Sequence, residues 1–395
     1  MYVNCFINPS KEKGDSSLIT IDSDQVCFLE LIKASLFNIC PSIPENVNWN
    51  NVYDFAKTQC VLSLVASSVP FEHRNEWIIG SYQCKAYYMR MLYEQDMLVR
   101  LFNSKNIPLV IFKGTAASLY YPNPTLRTFG DIDFYVSEIN WDLACNLLKE
   151  NGYKFITSDV RHQEFQKNEM TFELHSKISS KHYNDVESIF CNGLKNAVEY
   201  KIGNYSFPGL PPYENGLVLL GHIMQHLKSS GIGLRQIIDW MMFVHKELND
   251  SAWEDSFRPY AVEAGLEKLA VIVTYMCKKW LGLSDSITWC DNADEEVADQ
   301  LLIWILDDGN LGQYRAPVEN VKKSMREEGI FKYLQRAGLE NWLLPQKYIV
   351  FKPFAWIFQL CKYIHMVFAS LFTGKKMFMK GKHKMSLEEL WERLE

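Results

Sequence analysis

The chain has 395 residues, of which 48% are hydrophobic, 22% charged and 14% aromatic, and its formal net charge is −6. That length excludes one small domain and points to two or three packed units with an ordinary globular composition. The acidic balance argues against wholesale binding to a nucleic-acid backbone.

Residues from about 24 to 104 carry apolar side chains at helical spacing, with breaks marked by Pro41, Pro44 and Pro70. The pattern then changes. PLVIF (108–112) is a short apolar run that fits a buried strand entering a turn at Lys113-Gly114. TAASLYY (115–121) predicts a short helix stopped by Pro122 and Pro124, and DIDFYV (131–136) predicts a strand. WDLACNLLKENGY (141–153) has helical spacing and a Gly152 stop, while YKFIT and MTFELHSKI predict two further strands. After GLPPYENG the chain reads as helical again, with LVLLGHIMQHLK and LRQIIDWMMFVHKEL the clearest segments and more helix to about 340. The expected class is α+β, a small mixed-sheet core flanked by helical regions. The expected division is an N-terminal helical region (1–95), an α/β core (96–205), a C-terminal helical domain (206–345) and an apolar-basic helical tail (346–395).

Ten cysteines are scattered without a CxxC pair, and several, such as Cys277, sit in apolar runs where a reduced thiol acts as a small core residue. A reducing cytoplasm is the expected location. The first residues lack a basic stretch followed by an apolar one, so no signal peptide is expected. No uncharged apolar run reaches the roughly 18 residues of a spanning helix. From Asn341 to Ser386 there are eight lysines and no acid. The apolar segment 354–372 followed by a lysine cluster fits peripheral contact with an anionic membrane, or a core helix with a solvated tail. RNA contact is a third reading of the same segment.

Asp131 and Asp133 are two apart on a predicted strand, so both carboxylates point to one face, close enough to hold one or two Mg²⁺ (or Mn²⁺) ions. Two solvated acids on an edge strand are the plainer explanation of this pair alone. The surroundings add to it. Lys113-Gly114-Thr115 follows a strand and opens a helix, where glycine lets a phosphate approach the backbone and free N–H groups face it. Glu173 and His175 alternate with Phe172 and Leu174, and Glu173 can supply a third carboxylate. Arg127 can fork onto phosphate or brace the acids.

The string VIFKGTAASLYYPNPTLRTFGDIDFYV, then a helix, GY and FELH, resembles the bacterial nucleotidyltransferase-like family of the polymerase-β superfamily. The superfamily pattern falls on Gly114 with Thr115 (in place of the more usual serine), on Asp131 with Asp133, and on Glu173. The likeness extends over about residues 25 to 345, with residues 108–175 carrying nearly all its specificity. It implies two-metal catalysis, with Asp131, Asp133 and Glu173 as catalytic and metal-holding residues. It also implies nucleotide contacts from Lys113, Gly114, Thr115, Arg127 and Arg235.

His222 and His226 share a helix face at a spacing that can bind zinc, but Ile223 stands where an HExxH site has glutamate. A packed or hydrogen-bonded pair is the commoner outcome. Arg235 and Asp239 are also four apart, the spacing of a helical ion pair. The alternative is that His226, Arg235 and Asp239 face the metal cleft, with His162 and His175 lesser candidates. The expected activity is transfer of a nucleoside monophosphate from an NTP, ATP preferred, to a protein, small-molecule or RNA hydroxyl. The alternatives are a binding protein on the same fold without turnover and a His/Asp metal hydrolase.

Overall fold

Helix α1 (Ser23–Phe37) begins at a capping box in which Asp22 and Gln25 each accept a hydrogen bond from the other's backbone N–H. Two donors left over at the helix start are thereby satisfied. Asn38, in the left-handed conformation, ends it. Helices α2 (Trp49–Thr58) and α3 (Leu62–Val65) follow, then the thirty-residue α4 (Arg74–Asn103). The structure is a computed structural model that describes residues 21–158, 161–228, 231–308, 329, 385 and 387–394.

Seven strands form one mixed sheet: β1 (Val110–Ile111), β2 (Ile132–Tyr135), β3 (Lys154–Ser158), β4 (His162–Lys167), β5 (Met170–His175), β6 (Val198–Ile202) and β7 (Tyr205–Gly209). Their order is β3-β4-β5-β2-β1-β7-β6, with β2 parallel to β5 and β1 parallel to β7, and the other pairs antiparallel. Helices α5 (Gly114–Ser118), α6 (Trp141–Glu150) and α7 (Glu187–Lys195) lie between strands in the chain. Four strands were expected from the sequence, and the other three escape it for physical reasons. In HQEFQK (β4) only Phe165 is fully buried, so no apolar run announces the strand. β6 is mostly exposed and mixes charge with apolar residues. β7 contains Pro208, which cannot donate to a ladder and argues against a strand. Gly203, at φ +58°, and Asn204 turn the β6–β7 hairpin.

The sheet separates two cores. Ile111, Ile132, Phe134, Phe172 and Leu174 face α4 and α6, packing with Phe102, Leu98 and Leu148. Val110, Phe112 and Tyr135 belong to the larger core on the opposite face, with residues of α1–α3 and of the C-terminal helices. Those helices are α8 (Pro212–Lys228), α9 (Leu234–Glu247), α10 (Asp250–Ala252), α11 (Arg258–Glu263), α12 (Glu267–Leu281), α13 (Glu295–Asp308) and α14 (Leu387–Leu394). Buried Gln59 ties the two ends together: its amide donates to the Ile305 carbonyl at 2.9 Å, and its oxygen accepts from the Leu234 N–H at 2.7 Å. That second bond satisfies a backbone donor at the start of α9. Helices α8 and α9 pack closely, since a Cβ at Gly216 would lie 2.2 Å from the Phe243 ring.

The architecture is thus α+β, a small mixed sheet flanked by N- and C-terminal helices. Among the described residues no helix is long and apolar enough to cross a membrane. The apolar segment 354–372 and the lysine cluster after it lie outside the described residues. Beyond them α14 packs on α12 and α13 through Leu390 and Leu394, and Arg393 pairs with Asp294.

Candidate metal and nucleotide site

A cleft of about 290 Å³ opens between the sheet face carrying Asp133 and the helices α8 and α9. Its sheet wall follows from strand periodicity. In β2, Ile132 and Phe134 enter the α4–α6 core, so Asp133 and Tyr135 face the other way. In β5, Phe172 and Leu174 enter that same core, so Glu173 and His175 also face the cleft. The parallel register sets Asp133 beside Glu173 and Tyr135 beside His175, which puts the two carboxylates on neighbouring strands about 4.8 Å apart.

His175 Nε2 lies 3.0 Å from Asp133 Oδ1 and 3.3 Å from Glu173 Oε2. Lys113 Nζ donates to the same Asp133 oxygen at 2.7 Å. Asp133, Glu173 and His175 offer ligand atoms that all fall within 4.8 Å of one another, a donor set that fits a divalent cation. Asp131 sits just before β2 rather than on it, lining the cleft outside that tight group.

The electrostatics follow from burial and crowding. Burial, Asp133 and Glu173 push the Asp131 carboxyl up to about 7. Burial opposes ionisation of Asp133 too, but the Lys113 ammonium and His175 outweigh it and hold that carboxyl well below its ordinary range. Burial disfavours the charged form of Lys113, yet the three surrounding acids win and raise its pKa. His175 is raised despite burial, because Asp133 and Glu173 accept from its ring. The acids therefore repel one another most at Asp131, a repulsion that a cation would relieve, while Lys113 keeps Asp133 ionised.

In the turn before the acids, Lys113 and Gly114 have separate parts. The residue in the left-handed region is Lys113 (φ 52°, ψ −129°), not Gly114. Such a backbone in a lysine costs about 1–3 kcal/mol and marks a constrained position. At Gly114 a Cβ would meet nothing closer than the Asp131 carbonyl at 3.6 Å, so the protein's own packing does not demand glycine. Gly114 lines the cleft, where the missing side chain leaves the backbone open. Helix α5 spans five residues, so charge at this turn comes chiefly from Lys113. Thr115 is buried away from the cleft, and its hydroxyl donates to Gln95 at 2.5 Å.

On the helical wall, Asp239 does not pair with Arg235. It receives a forked ion pair from Arg127, with Nε and Nη2 each at 2.7 Å, and the Tyr121 hydroxyl at 2.8 Å. Arg127 borders the cleft, but its charge is spent on Asp239, and Asp239 itself is not on the cleft wall. Arg235 does line the cleft. Its Nη1 reaches the Thr128 carbonyl at a long 3.3 Å, and its buried Nε has no partner among the described residues.

His222 and His226 both line the cleft and hydrogen-bond to each other through Nε2 atoms 2.7 Å apart. Burial, Lys113 and Arg235 bring the His226 pKa down to about 4, and burial and His226 lower His222 further below its ordinary value. Among the described residues no third ligand joins them in a metal group. His162 stacks on His175 with ring centroids 5.1 Å apart. Arg161, Gln225 and Gln236 also line the cleft and drew no attention in the sequence. Arg161 precedes β4, the strand that sequence pattern does not reveal, and Gln236 is a neutral amide next to the more conspicuous Arg235.

The family described as "Uncharacterised nucleotidyltransferase" matches residues 45–282, more than half of the chain. No curated protein matches it. One similar solved structure is that of the antibiotic-resistance factor ANT(2'')-Ia, at 11% identity and a TM-score of 0.35, covering 45% of this chain and 94% of that one. Another is an antigenic nucleotidyltransferase-like protein from Paracoccidioides brasiliensis, at 13% identity and a TM-score of 0.30, covering 49% and 92%. With its match running from α2 to Gly282 through the entire sheet and cleft, the chain belongs to the uncharacterised nucleotidyltransferase family.

Proposed function

We propose that this chain is a bacterial, metal-dependent nucleotidyltransferase of the polymerase-β superfamily. It transfers a nucleoside monophosphate from an NTP, with ATP the preferred donor, to a hydroxyl acceptor. The observation that carries this reading is the convergence of Asp131, Asp133 and Glu173 with Lys113 and Arg235 on one cleft. Asp131, Asp133 and Glu173 would hold Mg²⁺ or Mn²⁺, which when bound supplies charge neutralisation for the triphosphate and polarises the acceptor oxygen.

The chain's own groups do the positioning. Lys113 stands at the acids, ready to shift from Asp133 to a phosphate oxygen. Arg235 offers a guanidinium fork with an unsatisfied Nε. Gly114 leaves its backbone open to the cleft. The acceptor hydroxyl then attacks the α-phosphorus in line, its proton passing to solvent as the O–P bond forms and pyrophosphate leaves, a reaction driven mostly by positioning and charge stabilisation. Binding without turnover is the competing reading, favoured by the fact that Lys113 and His175 already neutralise Asp133.

Thermal unfolding with each NTP, with and without Mg²⁺, tests the proposal on the wild type and on an Asp131→Asn/Asp133→Asn variant. A ligand present at 100 times its Kd stabilises the fold by about 2.7 kcal/mol. The expected result is a Mg²⁺-dependent upshift, lost in the variant, and incorporation of label from an α-labelled NTP into product. An upshift without incorporation under any acceptor mixture leaves the binding role; no upshift with any NTP removes the nucleotide from this cleft.

A further inference from the structure

The tightest group of potential ligands on the sheet wall contains an imidazole. Asp133, Glu173 and His175 bring one donor atom each to within 4.8 Å of the others, and Asp131 stands outside this group. The ring nitrogen is aimed between the two carboxylates, 3.0 Å from one and 3.3 Å from the other. A single N–H cannot serve two acceptors well, whereas a cation at the meeting point serves all three. Neighbouring ligands of a six-coordinate ion held at about 2.1 Å lie about 3.0 Å apart. The two observed edges match that spacing without any movement of the backbone.

The imidazole is also fixed independently of an ion. His175 is the last residue of β5, its ring stacks on His162 at 5.1 Å and 28°, and the Phe112 ring meets it edge-on at 5.0 Å. A ligand held by strand register and two aromatic contacts is preorganised and loses little entropy on binding. Mg²⁺ keeps to oxygen ligands and water, whereas Mn²⁺ shares its preference for carboxylates but, as a first-row transition ion, accepts an imidazole nitrogen beside them.

We propose that His175 is a direct metal ligand alongside Asp133 and Glu173, and that its imidazole selects Mn²⁺ over Mg²⁺ at this site. The inference rests on the metal-dependent reading of the cleft and adds to it a nitrogen ligand and a choice between the two ions named there. Lys113 holds the same Asp133 oxygen. Any entering dication must displace that ammonium, so this competition does not alter the choice between ions.

The test uses the full chain with Mn²⁺ as probe, read by pulsed electron paramagnetic resonance for coupling to ¹⁴N and by competition against Mg²⁺. Wild type should show imidazole nitrogen coupling and bind Mn²⁺ at least about tenfold more tightly than Mg²⁺. His175→Gln should still bind Mn²⁺ but lose the coupling, with the preference narrowed. His162→Gln, His222→Gln and His226→Gln should each keep the coupling, which assigns it to His175, the other histidine lining the cleft among the described residues, even where His175→Gln fails to fold. Labelling wild-type histidines with ¹⁵N must change the signal accordingly. Mn²⁺ bound at the Asp133-dependent site without nitrogen coupling overturns the inference and leaves His175 as a brace for the acids. Coupling that survives in His175→Gln overturns it as well. No Mn²⁺ or Mg²⁺ binding in wild type removes both this inference and the metal-dependent function.

Discussion

The two walls of the cleft obey different rules. The sheet wall presents Asp133, Glu173 and His175 through strand alternation and parallel register, and its charges crowd together with Lys113 at their centre. The helical wall presents His222, His226 and Arg235 from helices whose other faces are packed in the core, and its buried acid, Asp239, is paired behind the cleft. Asp239 and Arg235 lie one turn apart on α9, yet one is clamped by Arg127 inside the protein and the other lines the cleft. The sheet wall is arranged for a ligand; much of the helical wall is arranged to hold the fold. Substitutions of the sheet-wall acids should harm function before stability, and those of the ion pair and close packing behind the helical wall the reverse.

The sharpest way to break this contrast is Asp239→Ala. Removing it strands Arg127 as a buried unpaired charge and should cost about 3–5 kcal/mol in denaturant unfolding. A loss below about 1 kcal/mol with nucleotide binding abolished would move Asp239 into the site. Glu173→Gln should do the opposite, lowering nucleotidyl transfer by about 10²–10³-fold. Its stability should stay within about 1 kcal/mol of wild type, because the Lys113–Asp133 pair remains.

Gly216→Ala should destabilise by about 1–3 kcal/mol, since its Cβ would run into Phe243 and push α8 from α9. Equal stability in the variant would show that the two helices have room to yield. The histidine pair gives a pH test of the helical wall. The folded pKa of His226, about 4, lies below its ordinary value, and His222 is lowered as well. The unfolded chain therefore binds more protons, and stability present above pH 6.5 is lost as pH falls toward 4. The slope should reach about 1.4 kcal/mol per pH unit for each histidine and shrink in a His222→Gln/His226→Gln variant. The smallest structural effect belongs to Gly114→Ala. It should change stability by less than about 0.5 kcal/mol, because its Cβ meets only ordinary contacts. It should weaken nucleotide binding roughly tenfold, or about 1.4 kcal/mol. Unchanged nucleotide affinity would mean that the backbone there never approaches the phosphates.

Much of the sheet wall could be read before any coordinates, and little of the helical wall could. Strand period is two, so acids alternating with Ile132, Phe134, Phe172 and Leu174 already share a face once the apolar residues are given to the core. On a helix, i,i+4 spacing says only that two residues are neighbours. It could not say that Asp239 would choose Arg127, which lies 112 positions earlier in the chain. It did suggest the hydrogen-bonded pair of His222 and His226, but not that the pair stands in the cleft with the acids. Arg161 was hidden for a further reason, because the strand it introduces carries only one fully buried apolar residue.

The amino-acid sequence by itself determined the α+β class, the phase of Asp133, Glu173 and His175, and the place of the turn at Lys113, because each depends on residues close together in the chain. Tertiary structure alone decided that Lys113 takes the left-handed backbone and reaches Asp133. It also decided that Thr115 turns to Gln95, and that His175 rather than Asp131 completes the tightest ligand group. Those outcomes depend on how β2, β5, α4 and α9 pack, where partners far apart in the chain compete for the same oxygen or the same buried space.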